Sequence, residues 1–328
     1  MIIRITRILL VLQLLAAIAI AVALVKLFHV ESPVIAMLAG LGAVFMLRMQ
    51  ITANNFVLSS RYRSETPDAY RLNWRQACKL FFEEFRATMM SSSLTMPFHS
   101  FSKRVAENSS ALPVLLIHGY GCNSGYWHGM SKALMRAHIT HYAINMEPVT
   151  GGIDDYVEVV HQAVEAICKE TGSGKIIIVA HSMGGLATRA YLRDHGCGRI
   201  AKAITLGTPH HGTGVARFGV GENCRQMHWA LDAGEGVSSA WLRRLAASEN
   251  EDVYRILVSI YSHHDNIISP QTSSRIPGAA NIELFGIGHV ALAVNPAVQA
   301  RVIEEIRAAS AQAGATAPAS KATASPLS

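Results

Sequence analysis

The sequence is poor in cysteine, and its few cysteines form no recognisable pattern. An odd number of thiols without a Cys-x-x-Cys pair argues against both a disulfide framework and a zinc site. The sequence also has no cluster of metal ligands and no glycine-rich phosphate-binding loop, so it predicts neither a metal nor a cofactor. The simplest interpretation is that all five are reduced, partly buried thiols: Cys78, Cys122, Cys168, Cys197 and Cys224. Reduced thiols weakly favour a cytoplasmic location for this part of the protein.

Charged residues are sparse as well, at 16% of the 328 residues, whereas 50% are hydrophobic. This composition supports a sizeable core and excludes global disorder. The net charge is +6, but the basic residues form no dense block, which argues against nucleic acid as a partner. Several of them instead follow the apolar N-terminus and indicate membrane-proximal charge: Arg48, Arg61, Arg63, Arg71, Arg75 and Lys79.

Long apolar runs are confined to residues 1–50, which we interpret as one or two membrane segments. The first run, residues 8–25, is interrupted only by Gln13, and a helix of this length nearly spans a hydrocarbon core of ~30 Å. A cleaved signal peptide is the alternative, although its apolar region is usually about 7–15 residues. We therefore expect an uncleaved membrane helix.

The second apolar run, residues 34–47, is short for a crossing. It would span the membrane if it extended to Ile51 with Arg48 reaching the interface; a re-entrant helix, an interfacial helix or a helix packed on the first are the alternatives. Two crossings would place the rest of the chain on the cytoplasmic side, by the positive-inside tendency, and one crossing would place it outside. The compartment stays open, with the cytoplasmic side slightly favoured.

The remaining chain divides into three parts. Residues 51–110 read as a basic linker with one amphipathic helix over 72–89, lying either on the membrane or on the following domain. Residues 111–308 alternate apolar strands with amphipathic helices, which predicts an α/β fold with a mostly parallel, doubly wound sheet. Residues 309–328 are rich in Ala, Ser, Thr and Pro and are expected to be disordered. The expected strands cover 113–117, 141–146, 175–180, 201–206, 254–261 and 281–285.

A serine in a strand-turn-helix context is the strongest chemical signal. In the run Ala180-His181-Ser182-Met183-Gly184, a strand ends before Ser182 and a helix begins after it. A sharp turn of this kind exposes the hydroxyl as a nucleophile and needs small residues two positions before and after it. Gly184 meets this need, and Ala180 stands where a glycine is usual.

Acyl transfer also needs two amide donors for the oxyanion. One is expected from Met183, the residue after the nucleophile. The strand before His118-Gly119-Tyr120-Gly121 ends in a turn that offers the amide of Tyr120 as the second donor. His118 itself is expected to be structural.

Chain order helps to choose the acid and the base. A nucleophilic serine in a strand-turn-helix elbow of this kind is followed along the chain first by the acid and then by the histidine. His289 lies in a glycine-flanked loop after the last strand, whereas His210 and His211 precede any suitable acid. Asp265 alone among the later aspartates directly follows a buried strand, and it is placed to accept the Nδ1 proton of His289. Glu283, within a strand, is the alternative acid.

Five ordered segments carry a family resemblance. They resemble the bacterial lipases and esterases of the α/β-hydrolase superfamily, and Ala180 resembles the elbow of the small Bacillus-type lipases. The resemblance spans roughly residues 110–308 and implies acyl-enzyme hydrolysis by Ser182, Asp265 and His289. The segments are 113–121, 180–184, 204–212, the loop around 265, and 286–289.

The sequence thus predicts a membrane-anchored serine hydrolase that cleaves carboxylic esters, with lipids or small esters as substrates and the bacterial inner membrane as its location. Residues 214–245 are expected to be an insertion over the acyl pocket, either a mobile lid or a fixed cap. An acyltransferase or thioesterase with the same triad is the alternative enzyme. A membrane-anchored binding protein with a vestigial hydrolase fold is the alternative from another class.

Overall fold

The structure, a computed structural model, describes residues 1–232 and 235–316. The helices are α1 Ile2–Leu27, α2 Pro33–Ser60, α3 Trp74–Met90, α4 Met96–Phe98, α5 His128–Arg136, α6 Val157–Thr171, α7 Met183–His195, α8 Glu222–Gln226, α9 Ala240–Ala247, α10 Glu251–Ile256 and α11 Pro296–Thr316. The strands are β1 Lys103–Arg104, β2 Val114–Ile117, β3 His141–Ile144, β4 Ile176–His181, β5 Ile200–Leu206, β6 Trp229–Asp232, β7 Glu235–Ser238, β8 Leu257–Ser262 and β9 Ala280–Leu284.

Seven strands form one sheet in the order β1-β3-β2-β4-β5-β8-β9. Every neighbouring pair is parallel except β1 with β3, which is antiparallel at the edge. Strands β6 and β7 form a separate antiparallel pair. The prediction of an α/β fold with a mostly parallel, doubly wound sheet is confirmed.

Apolar side chains alternate between the two faces of the sheet. On β4, Ile176 and Ile178 pack into the core that includes α6 and α7, while Ile177 and Val179 pack into the core with α5 and α11. Because both faces are covered by helices, these strands are apolar throughout. This double covering fixes the carboxyl ends of β4, β5 and β8, where the candidate site lies.

Helices α1 and α2 form an antiparallel hairpin at the N-terminus. Gly40 lies so close to the backbone of Ala17 that no Cβ would fit between the helices. Both helices are long and apolar enough to span a membrane. Only 11% of the most apolar 18-residue stretch of each helix is buried. Arg48 donates hydrogen bonds to Gln13 of α1 and to Ser93, which follows α3.

Three sequence-based boundaries differ from the structure by three residues or more. Helix α2 continues past residue 50 to Ser60, because Arg48 finds polar partners and does not end the helix. Residues 254–256 belong to α10, capped by Asn250, and not to the following strand. The amphipathic helix predicted over 72–89 is α3, and it packs against the domain, which is one of the two placements that the sequence left open. Helix α11 extends to Thr316, with Ala309 buried, so the expected disorder does not begin at 309; residues 317–328 lie outside the described residues.

Candidate active site

Ser182 occupies a strained turn between β4 and α7. Its backbone adopts φ 53° and ψ −127°, a region that non-glycine residues rarely occupy. The Ser182 amide donates to the Leu206 carbonyl at 2.9 Å, and the Thr208 hydroxyl donates to the Ser182 carbonyl at 2.9 Å. A Cβ on Gly184 would lie 2.5 Å from the Ile117 carbonyl oxygen, so glycine is required there for the helix to approach β2.

Asp265 and His289 are joined by a short hydrogen bond. His289 Nδ1 lies 2.7 Å from Asp265 Oδ2, and both side chains are buried. The other Asp265 oxygen accepts from the amides of Ile267 and Ile268 at 2.8 and 2.7 Å, which fixes the carboxylate in its loop. Burial lowers the pKa of His289, but the negative charge and hydrogen bond of Asp265, together with the charge of Glu84, outweigh it, and the net shift is upward.

The elbow and the acid–base pair meet at the carboxyl end of the sheet. A Cβ on Gly207 would lie 3.0 Å from Asp265 Oδ2 and 3.3 Å from His289 Nδ1, and the preceding residue, Leu206, accepts the Ser182 amide. Among the described residues, the Ser182 hydroxyl has no hydrogen-bond partner. Catalytic hydrogen bonds are often long before substrate binds, so this geometry leaves His289 a candidate base for Ser182.

His181 supports the backbone of His289. Its Nε2 lies 3.0 Å from the His289 carbonyl oxygen, and its ring packs against the rings of His289 and Tyr126. Burial places the pKa of His181 well below its usual range, so the ring is neutral and Nε2–H donates. The amide of His289 donates to Asn266 Oδ1 at 2.9 Å. Both backbone polar groups of His289 are therefore held.

The two predicted oxyanion donors belong to segments that adjoin Ser182. Met183 is the first residue of α7, where an amide has no partner within the helix. Tyr120 follows Gly119, whose Cβ would stand 2.9 Å from the Ser182 Cβ. Within the described part of the chain, neither amide is engaged in a turn hydrogen bond, so both are free to donate to a bound oxygen.

The other candidates have structural partners. His118 is buried between the Gly119 carbonyl and the Met146 amide, and burial lowers its pKa to about 4. Glu283 accepts hydrogen bonds from His263 and Tyr261 at 2.9 Å each, and not from His289. No group of three or more metal-binding side chains occurs in the part of the chain that the structure describes.

Glu84 of α3 is a residue of this site that the sequence analysis missed. Its side chain is only 1% exposed, and its oxygens accept from the amides of Val290 and Ala291 at 3.0 and 2.9 Å. Burial raises the pKa of Glu84, against the two amides and His289, which lower it. The carboxylate thus caps the 3₁₀ turn that begins directly after His289.

One sequence signal pointed to Glu84. It lies on the face of α3 that carries Leu80 and Ala87, both buried. A carboxylate on an apolar helix face requires a buried partner. Its partner amides lie more than two hundred positions further along the chain, where the sequence alone offers no means of pairing them.

Residues of the predicted insertion contact the N-terminal region and the turn after β2. Tyr62, just after α2, packs its ring where a Cβ of Gly214 would stand, and it makes an edge-to-face contact with Trp229. The Tyr120 hydroxyl donates to the Val220 carbonyl at 2.8 Å. Residues 233 and 234 of this predicted insertion lie outside the described residues.

A cavity of about 1110 Å³ lies at the amino ends of the strands, lined by Pro113, Thr140 and Lys175, away from Ser182.

Comparison with known proteins supports the fold. Residues 113–223 match the family model described as the alpha/beta hydrolase fold. The mature form of the Bacillus licheniformis lipase BlEst2 aligns with a TM-score of 0.52 and 15% identity, over 63% of this chain and 97% of that one. Aspergillus fumigatus lipase B aligns with a TM-score of 0.50 and 18% identity, over 62% and 55%. The chain has the α/β-hydrolase fold.

Two curated relatives show sequence similarity over the same region. A triacylglycerol lipase of Pseudarthrobacter phenanthrenivorans is 29% identical over 114 residues, which cover 32% of this chain and 35% of the relative. A triacylglycerol lipase of Burkholderia plantarii is also 29% identical over 114 residues, covering 32% of each. The chain therefore matches about a third of the length of these relatives.

Proposed function

We propose that this protein is a serine hydrolase that cleaves carboxylic esters through an acyl-enzyme intermediate. The observation that carries the proposal is the 2.7 Å Asp265–His289 hydrogen bond beside a serine at φ 53°. The proposed triad is Ser182, His289 and Asp265. The names of the two curated relatives favour acylglycerols or other lipid-like esters as substrates.

In the proposed reaction, Ser182 Oγ attacks the ester carbonyl carbon while His289 Nε2 takes the hydroxyl proton. The amides of Tyr120 and Met183 stabilise the oxyanion. Collapse of the tetrahedral intermediate expels the alcohol, which receives the proton from His289. Water then attacks the acyl-enzyme with His289 again as base, the acid leaves, and the proton returns to Ser182. Asp265 stabilises the imidazolium at both stages.

We further propose that α1 and α2 anchor the protein as a membrane hairpin. The two helices are antiparallel. Arg7 of α1 donates to the Pro97 carbonyl and the Ser269 hydroxyl donates to the Ser59 carbonyl of α2, so both ends of the hairpin are on the domain side. Arg4 and Arg7 at the start of α1, together with Arg61 and Arg63 after α2, would then occupy the cytoplasmic side, as the positive-inside tendency favours.

The chemical proposal is tested with the purified full chain and p-nitrophenyl esters of increasing acyl length. We expect hydrolysis of these esters and loss of it in Ser182→Ala. Turnover only when an alcohol, amine or thiol acceptor is added would instead show an acyltransferase. A marked preference for acyl thioesters over oxygen esters would show a thioesterase.

A further inference from the structure

The segment from α3 to α4 presents an exposed apolar patch beside the N-terminal hairpin. We define the patch as Phe82, Met90, Leu94 and Phe98, whose exposed fractions are 59%, 45%, 46% and 57%. Isolated apolar residues on a surface are ordinary, whereas several large exposed apolar side chains on one short segment suggest an interaction site. Glu84, two residues after Phe82, points about 200° round the helix, towards the His289 loop.

Contacts with the hairpin fix the level of this segment. On α2, Phe45 packs edge-to-face on Phe85 at 5.2 Å between ring centroids, and Arg48 donates to Ser93. On α1, Gln13 accepts from Arg48. The middle of the patch, Met90 and Leu94, therefore lies near the level of Gln13 and Phe45. Its two ends lie nearer the hydrolase domain, because Arg7 of α1 lies over the Phe98 ring and Phe81, next to Phe82, contacts Phe56 of α2.

The length of hairpin beyond that level is too short for a bilayer. Between Gln13 and the end of α1 at Leu27 lie fourteen residues, and residues 33–44 precede Phe45 on α2. At 1.5 Å per residue these stretches reach about 21 and 18 Å. A hydrocarbon core is about 30 Å thick. If the hairpin tip reaches the far interface, the level of Gln13 and Phe45 lies about 10 Å inside the near leaflet.

From this we propose that Met90 and Leu94 are immersed in the near leaflet and contact lipid acyl chains, with Phe82 and Phe98 at the interface, as an interfacial helix does. This inference rests on the proposed membrane hairpin. Exposed basic residues at the start of the same helix, Arg75 and Lys79, are suited to anionic headgroups. Because the opposite face of α3 holds the His289 loop through Glu84, immersion of this segment would bring the candidate active site to the membrane, within reach of esters in the bilayer.

Nitroxide depth measurements test the proposal on the full chain in phosphatidylglycerol–phosphatidylcholine vesicles. The background is Cys78→Ser, because Cys78 is exposed. Labels are placed at Met90→Cys and Leu94→Cys in the patch, at Leu38→Cys in the hairpin, and at exposed Lys169→Cys as a control. We expect the patch labels to collide with oxygen in preference to a water-soluble nickel chelate, at a depth of about 5–10 Å.

The outcomes separate this inference from the proposals on which it rests. If the labels at positions 90 and 94 are as accessible to nickel as the label at 169, while the label at 38 is deep in lipid, the proposed immersion is wrong but the proposed membrane hairpin stands. A nickel-accessible Leu38 would overturn both immersion and anchor, whereas Ser182-dependent hydrolysis is scored separately.

A functional arm uses Leu94→Glu. We expect at least a tenfold loss of turnover on a vesicle-embedded ester and unchanged turnover of p-nitrophenyl acetate. If Leu94→Glu and the parent turn over the vesicle-embedded ester at the same rate, the proposed immersion is contradicted.

Discussion

Gly288 has no room for a side chain, because its Cβ would stand 2.5 Å from Oε2 of Glu84. Its backbone is not in the left-handed region, so conformation does not require glycine there. The requirement for glycine comes from the Glu84 carboxylate, which accepts hydrogen bonds from the amides of Val290 and Ala291, directly after His289. A residue of the N-terminal region thus shapes the loop that carries the proposed base.

Replacing Glu84 by Gln should lower kcat while leaving KM within a few-fold. The amide group presents a donor to one of two backbone amides, so the His289 loop shifts, and a small misplacement of a catalytic group costs roughly 10- to 100-fold. Loss of the negative charge also removes an influence that raises the pKa of His289, so the acid limb of activity should move to lower pH.

The matched control is Glu83→Gln on the same helix. Glu83 is 37% exposed and pairs with Lys79 at the surface, so its replacement should change neither kcat nor the pH profile. Glu84→Asp keeps the charge and should restore the acid limb without restoring kcat fully. A folded Glu84→Gln protein that matches Glu83→Gln in both respects would show that Glu84 does not position the base.

Gly288→Ala probes the same contact from the loop side. The added methyl group collides with Glu84, so kcat should fall, whereas Gly198→Ala, which meets nothing within 4 Å, should be neutral. Combining Gly288→Ala with Glu84→Ala removes the collision. The loss of kcat in the double variant should therefore be smaller than the combined losses of the two single variants. Strict additivity in a double-mutant cycle would show that the two residues do not act through each other.

Asp265→Asn should abolish most activity. The asparagine cannot hold the imidazole in the required tautomer or stabilise its charged form, and the analogous change in a protease triad costs roughly 10⁴-fold in kcat. Glu283→Gln is the control, because Glu283 pairs with His263 and Tyr261. Steady-state kinetics on a short ester compares them. A larger loss in Glu283→Gln would identify Glu283 as the acid.

The pH dependence of kcat/KM follows from the raised pKa of His289. The base acts only when neutral, so activity should rise with pH, with a midpoint above the ordinary value of 6.5. In Asp265→Asn, residual activity should have its midpoint at lower pH, since the carboxylate raises the pKa. A wild-type midpoint well below 6.5 would contradict the proposed acid–base pair.

Most of the fold was predictable because β2, β4 and β5 are buried on both faces and read as apolar runs. The edge strand β1 was not, since Lys103 and Arg104 are both exposed and show no apolar pattern. The course of α2 through Arg48 was also hidden, because the partners Gln13 and Ser93 come from distant segments.

The candidate site divides in the same way. Chain order and strand ends selected Asp265 and His289, which the structure brings within a hydrogen bond. Glu84 and Asn266 act on backbone amides, and a backbone amide carries no sequence signature. Side chains that hold the backbone of a loop are therefore harder to find from sequence than those that hold another side chain.

Covalent labelling by a fluorophosphonate probe tests the central claim most directly. The probe reacts with a serine hydroxyl that is activated by a neighbouring base. We expect the native full chain to be labelled, with the adduct at Ser182 by peptide mass spectrometry, and folded Ser182→Ala to remain unlabelled. Absence of labelling in the folded native protein, or labelling that persists in Ser182→Ala, would contradict the account.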